Sequence, residues 1–501
     1  MSQEQLTNQR IAEAYGEKRE QEINPELVGV AKNVVDCYDF NPEKESFLVI
    51  TDTKVMELNA DFIAAIEEEL KQRTGQSKRA AGNYEIVVIP ASPYSATPLE
   101  KYVGDKMKNQ PILLVTSMSR SHSRETGAAY RGDIASKKQF DQIIKSKKLQ
   151  QTIQKGWSVI SPDRLEELNK QTAISQEQIS EDNYYAELVE LAKGNRSRII
   201  SITKGHNPYE ILTKGAIEES VGALRERGDE VNTLMQDVAE VHITTDIGTD
   251  LVLRPRPDKT EIEDGRMNKP GQVSNYPIGE WSCSPYLEGA NGTLVVDIAA
   301  GGNYNKDQFD EYGPIKLEIK DGVVISMGDK QNNWDLNKLK DFLSQNTDYN
   351  LLENEDKNDP TLSQRKKAER NRIQKLLDQF FGERNIKNPL VCSMLKYWVA
   401  GDNRQHHCFR LAEFAVGTNA MACKEKTPEN IGSSEGEKIL GTVHIAVGSN
   451  GTFGVDPIKD HENFNNVDIH CDMIISKPTV ECTKKDNSKF NLIENGEPVG
   501  Y

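Results

Sequence analysis

No apolar run in the sequence approaches the roughly 18 residues that a membrane helix requires. Its first 22 residues, MSQEQLTNQRIAEAYGEKREQE, hold no apolar segment of the kind a secretory signal needs. Positive charge is also in short supply. Sixty-two Lys and Arg face 78 Asp and Glu, and the formal charge of −16 disfavours phosphate backbones and anionic membranes as partners. The seven cysteines (Cys37, Cys283, Cys392, Cys408, Cys423, Cys471 and Cys482) are scattered and odd in number. None is spaced C-x-x-C, which argues against a disulfide framework or a structural zinc site and for reduced thiols. The first β-branched run is followed by DTKVMELN rather than G-x-G-x-x-G, so a dinucleotide role is disfavoured. No internal repeat or low-complexity tract is present. These absences lead to the expectation of a cytoplasmic enzyme or binding protein, with neither nucleic acid nor membrane as a partner.

The 501 residues that remain to be explained divide in two. In the N-terminal part a polar helix over 1–24 precedes an amphipathic one after Pro25. The short runs SFLVITD (46–52), YEIVVIP (84–90), PILLVTS (111–117) and SRIISITKG (197–205) alternate with helical patterns such as NADFIAAIEEELKQRTG (59–75) and 207–228. Such alternation predicts a parallel, Rossmann-like sheet covered on both faces. His122, in the SMSRSHSRETG loop after the third run, reads as a loop residue. Near 230–240 the character changes. VAEVHITTD (238–246), TDLVLRPRP (249–257), GTLVVDIAAGG (292–302) and IKLEIKDGVVISMGD (315–329) read as antiparallel strands, with Asp321-Gly322 as a hairpin turn. Residues 330–405 are Lys/Glu-rich and helical. Ile373, Leu376, Leu377, Phe380 and Phe381 make an apolar stripe there, and RKKAERNR a solvated face. The expected organisation is an α/β domain over 1–235 and a strand-rich, metal-binding α+β domain over 236–501, with 330–405 as a helical insertion.

The segments LAEFAVGTN (411–419), GTVHIAVGSN (441–450) and VDIHCDMII (467–475) carry the chemistry. Period-two alternation puts His444 on the face opposite Val443, Ile445 and Val447. It puts Asp468, His470 and Asp472 opposite Ile469, Cys471 and Met473. With Glu413, these residues form a donor set suited to a hard or borderline divalent cation.

With SNYPIGEWSCSPYLEGANGTLVVD (274–297), ITTDIGTDLVL (243–253) and the IKLEIKDG hairpin added, the ordered motifs resemble the metallo-aminopeptidases T and S (family M29). The likeness is loose over 45–120 and closer over 235–500. It implies a homodimer that removes N-terminal residues from peptides, with two ions (Zn, Co or Mn) held by Glu280, Glu413, His444, a Tyr, His470 and Asp472. It also implies Glu413 as the bridging acid and Glu280 as a ligand or base. The Tyr position is Gly451 here, and His461 is the auxiliary candidate nearby. Two such ions about 3.5–4 Å apart activate a bridging water and polarise a carbonyl. The same fold group includes 2,5-dihydroxypyridine dioxygenases. In that alternative His444, His470 and Asp472 are a facial triad for one Fe(II) acting on a small-molecule substrate. A repurposed metal-binding member without peptidase activity is the third reading.

Overall fold

The computed structural model describes residues 25–75, 84–89, 108–116, 158–159, 191–203, 214–298, 306–329, 333–336, 345, 362–384, 388, 409–422, 433–456, 458–465, 467 and 470–501. The expected helix over 1–24, His122, Asp468 and most of 330–405 lie outside these residues. The described chain forms two compact units, Met1–Arg225 with Glu263–Ile278, and Glu226–Ile262 with Gly279–Tyr501.

The first unit opens with helix α1 (Pro25–Asp36), whose proline occupies the one helical turn where a missing N–H costs nothing. Strand β1 (Phe47–Asp52) runs directly into helix α2 (Thr53–Thr74). The helix therefore starts at Thr53 rather than at Asn59, so the DTKVMELN stretch is its first turns and not a loop. Gly75, at φ 63°, supplies the left-handed residue that ends it. Strands β2 (Tyr84–Ile89), β3 (Pro111–Thr116), β4 (Ser158–Val159) and β5 (Arg198–Thr203) follow. The helix expected over 207–228 takes another form within 214–235. A 3₁₀ turn at Gly215–Glu218 breaks, and helix α3 (Val221–Met235) begins where the Ser220 hydroxyl accepts the Ala223 N–H at 3.2 Å. Helix α3 continues past Gly228 because Val231 and Met235 are buried.

In the second unit, β6 (Val238–Thr244), β7 (Asp250–Arg254) and β8 (Thr260–Glu263) come first. The chain then returns to the first sheet with β9 (Val273–Asn275), which pairs with β5. That sheet is parallel throughout, in the order β4-β2-β1-β3-β5-β9. Strands β10 (Glu280–Cys283), β11 (Tyr286–Val296), β12 (Ile315–Lys320), β13 (Val323–Gly328), β14 (Asn333–Asp335), β15 (Leu411–Gly417), β16 (Val443–Gly448), β17 (His470–Ile475), β18 (Thr479–Lys484), β19 (Lys489–Glu494) and β20 (Glu497–Pro498) complete the second unit. They form a nine-stranded sheet, β14-β13-β12-β11-β7-β6-β18-β19-β20, and a five-stranded one, β17-β16-β15-β10-β8.

One apolar core joins Leu251, Leu253, Leu294 and Leu317 of the larger sheet to Trp281, Phe414, Ile445 and Met473 of the smaller. Burial of side chains this size contributes on the order of 1.5–3 kcal/mol each. Helix α4 (Lys306–Tyr312) precedes β12, and helix α5 (Leu362–Arg384) adds Ile373 and Leu377 to that core. None of the described helices is long and apolar enough to cross a membrane.

The β12–β13 hairpin turns on Asp321 and Gly322, both at positive φ, the geometry that matches the twist of its strands. A Cβ on Gly322 would lie 2.7 Å from Leu287. Gly322→Ala should therefore cost about 1–3 kcal/mol, read as a lower urea midpoint at unchanged slope.

Candidate metal centre

The five residues Glu280, Glu413, His444, His470 and Asp472 come from four adjacent strands of the smaller sheet. Glu280 opens β10, Glu413 is on β15, His444 on β16, and His470 and Asp472 on β17. Antiparallel pairing aligns Ser282, Ala415 and His444 in one row and Glu413, Ala446 and Asp472 in the next. Glu280 faces Gly417, and His470 faces Gly448. Partners in register point to the same side of a sheet, so every neighbour between donors is Ala, Gly or Ser. Small residues leave the space above the sheet to the charged side chains. The reverse face carries Trp281, Phe414, Val443, Ile445, Cys471 and Met473 into the core.

Strict alternation along β15 would put Leu411 and Glu413 on one face. A register shift between them lets Leu411 pair with Val447 toward the core while Glu413 pairs with Ala446 toward the cluster. One extra residue thus re-aims a functional side chain, a common use of a bulge.

The donors form two trios within metal-binding reach, Glu280–Glu413–His444 and Glu413–His470–Asp472, with Glu413 in both. His470 Nε2 lies 2.8 Å from Glu413 and 3.0 Å from Asp472. His444 Nε2 is 3.7 Å from Glu413, 3.8 Å from Glu280 and 4.0 Å from Asp472. His470 Nδ1 donates to the Ser449 carbonyl at 2.7 Å, which fixes the tautomer and turns Nε2 toward the carboxylates. Glu280, Glu413 and His444 are buried, whereas the His470 side chain is 32 % exposed and opens the cluster on one side.

Three carboxylates gathered this closely need a cation. Burial opposes the charged form of His444, but Glu413 and the charges of Glu280 and Asp472 outweigh it and push its pKa up to about 9. His470 is likewise raised well above the usual histidine range: burial opposes its charge, and Asp472 and Glu413 overcome it. Burial also disfavours the Glu413 and Asp472 anions, yet the two imidazoles hold both carboxyls below their ordinary values. Without a bound ion, protonated imidazoles would supply the balancing charge. The donor set of two imidazoles and three carboxylates, with His444 buried among them, fits a divalent cation.

The auxiliary candidates lie elsewhere. Gly451 is exposed in a 3₁₀ turn and offers no donor at the Tyr position. His461 is exposed on a nearby turn and belongs to neither trio. Asp456 caps its own turn through the Ile458 and Lys459 N–H groups. Asn450 is buried in a clamp with Ser284, Asn463 and Asn465.

A residue that sequence reasoning passed over is Lys438, buried, with Nζ 2.7 Å from Glu280 Oε1. Its turn is pinned against the end of β15. The Lys438 carbonyl accepts the Asn419 N–H at 2.9 Å, and the Gly417 N–H donates to Thr442 O at 3.1 Å. A Cβ on Gly417 would lie 2.1 Å from the Ile439 carbonyl oxygen. The only trace in the sequence is a lysine inside EKILGTVHIAVGSN, six residues before His444.

Two outcomes are expected. Gly417→Ala should displace the Lys438 turn and lower stability by about 1–3 kcal/mol, read as a shifted denaturation midpoint. For pH, the sign follows from raised histidine pKa values. The stabilisation from protonated His444 is complete below about 6.5, its unfolded value, and is lost as pH rises through about 9. Metal-free protein should therefore weaken over that window. Metal uptake should release protons within it, because the ligating imidazole must be neutral. Calorimetry in buffers of different ionisation enthalpy measures the release, and none at pH 7.5 would contradict the protonated cluster.

Residues 183–352 match the family model for 2,5-dihydroxypyridine 5,6-dioxygenase (NicX), a span that includes Glu280 and ends before the other four donors. No curated protein sequence gives a significant match. Among solved structures, wild-type AmpT from Thermus thermophilus aligns at a TM-score of 0.50 and 11 % identity, over 95 % of this chain and 99 % of that one. A 2,5-dihydroxypyridine dioxygenase from Pseudomonas putida KT2440 aligns at 0.49 and 12 % identity, over 95 % and 97 %. The parallel sheet and the antiparallel sheets make up the mixed α/β fold shared with AmpT, and the chain is similar in sequence to the NicX family over part of its length.

Proposed function

We propose that the protein is a metalloenzyme using one divalent ion, Fe(II), for oxygen-dependent opening of a hydroxylated heteroaromatic ring. The observation that carries this reading is that two imidazoles on adjacent strands face one carboxylate, His470 at 3.0 Å and His444 at 4.0 Å from Asp472, with Glu280 turned to Lys438. A set of that composition suits a non-haem iron and keeps coordination positions open. The family-model match supports the same chemistry. Bound there, the ion would supply the positions at which O₂ and a chelating substrate meet. His470 is held for this role by Ser449, and its partial exposure gives a small ring a way in. Glu413, whose carboxyl the imidazoles hold below its ordinary range, stays ionised beside the donors and would balance the charge of the ion.

The expected aminopeptidase reading rests on a specific observation as well: Glu413 belongs to both trios, as a bridging acid would. Against it stand the absent Tyr donor at Gly451 and the Lys438–Glu280 pair. A two-ion hydrolase would use Zn, Co or Mn to cleave N-terminal residues from peptides.

Protein loaded anaerobically with Fe(II) and given 2,5-dihydroxypyridine should consume O₂ in step with loss of the aromatic absorbance. His470→Ala and Asp472→Asn should each lower that rate by at least a hundredfold, from lost metal retention. Release of p-nitroaniline from aminoacyl anilides by the Zn, Co or Mn form, with no oxygen uptake by the Fe(II) form, would reverse the choice between the two readings.

A further inference from the structure

Lys438 is one of very few buried lysines among the described residues, its side chain 5 % exposed, and the donors around it are anionic. Its ammonium contacts Glu280 Oε1 at 2.7 Å, while Glu437, outside both trios and 15 % exposed, shares it at 3.4 Å. The lysine is held in place by its backbone. Lys438 N–H donates to Glu435 O at 3.1 Å, Lys438 O accepts from Asn419, and Leu440 N–H donates to Asn419 O at 3.0 Å. Gly417 leaves just enough room for the Ile439 carbonyl beside it. The backbone thus fixes where the side chain starts, and Glu280 and Glu437 hold its ammonium at the other end.

The geometry points to Lys438 as a built-in positive charge that takes the place of a second ion and makes the two trios unequal. One dication binds on the His470–Asp472 side. The position beside Glu280 is disfavoured, because a second dication there would share a carboxylate with the ammonium. The ammonium and a second dication beside Glu280 would also repel each other in a buried, poorly screened site. The inference rests on the metal-centre reading of the cluster and holds whether the reaction is oxidative or hydrolytic. It accounts for Glu280, an acid that a one-ion site on the His470–Asp472 side does not otherwise require. Lys438 is a positioning residue in this role, acting through Glu280.

Equilibrium dialysis of the full chain against Mn(II), with metal measured by mass spectrometry and ion coupling by electron paramagnetic resonance, tests it without reference to turnover. Wild type should hold one ion per chain, the second at least tenfold weaker. Lys438→Met, and Lys438→Gln, which keeps a donor for Glu280 but not the charge, should each take two ions with affinities within tenfold and show a coupled-pair spectrum. Lys438→Arg should stay at one. Two ions of similar affinity in wild type would overturn the inference whatever the variants do, which covers failure of Lys438→Met to fold. One ion in wild type, Lys438→Met and Lys438→Gln alike would overturn the role of Lys438 and leave the metal centre standing. No ion in any of them would overturn both.

Discussion

Mutual repulsion among Glu280, Glu413 and Asp472 is the constraint around which the second unit is arranged. Carboxylates brought this close and partly out of water are tolerated only beside cations. Each neighbouring feature answers that need. Two imidazoles stand at 2.8–4.0 Å from the acids, a lysine is buried against one of them, and the sheet beneath is floored with Ala, Gly and Ser. The opposite face of the same strands is apolar and packs into a core shared with the nine-stranded sheet. The core therefore supplies the rigidity that holds like charges together.

Much of this arrangement was legible in the sequence, because period-two alternation survives wherever one face is apolar. His444 among Val443, Ile445 and Val447, and His470 and Asp472 flanking Cys471, sit on the faces that the alternation predicts. The Asp321-Gly322 turn and the parallel sheet of β-branched runs were readable for similar reasons of local chemistry. Glu280 was different. It came from resemblance and not from pattern, and the structure places it with Glu413 and His444.

What was not legible depends on contacts distant in sequence or on departures from regular period. The shift at Leu411–Glu413 breaks alternation without a glycine or proline to signal it. Lys438 looked like an ordinary polar residue, because its burial follows from the Gly417–Ile439 approach, which only the folded chain reveals. The return of 263–278 to the first unit rests on β9, three residues long and too short to show a period. Helix α3 outran its expected end because Gly228 stops a helix only when nothing beyond it has apolar surface to bury.

Among the described residues, strand β17 is the outermost strand of its sheet, and it supplies two of the five donors. Its one strand neighbour is β16, with only the Asp297 and Ile298 N–H groups reaching its Ile474 carbonyl beyond it, so its register rests chiefly on β16, and a slip of one residue would turn His470 and Asp472 to the core side and Cys471 and Met473 to the cluster. Only the native alignment lets a cation be shared with Glu413 and His444. Whatever ion fills the cluster thus works as a gauge of strand alignment as well as a reactive centre, locking the correct pairing and leaving misaligned chains without their ligand.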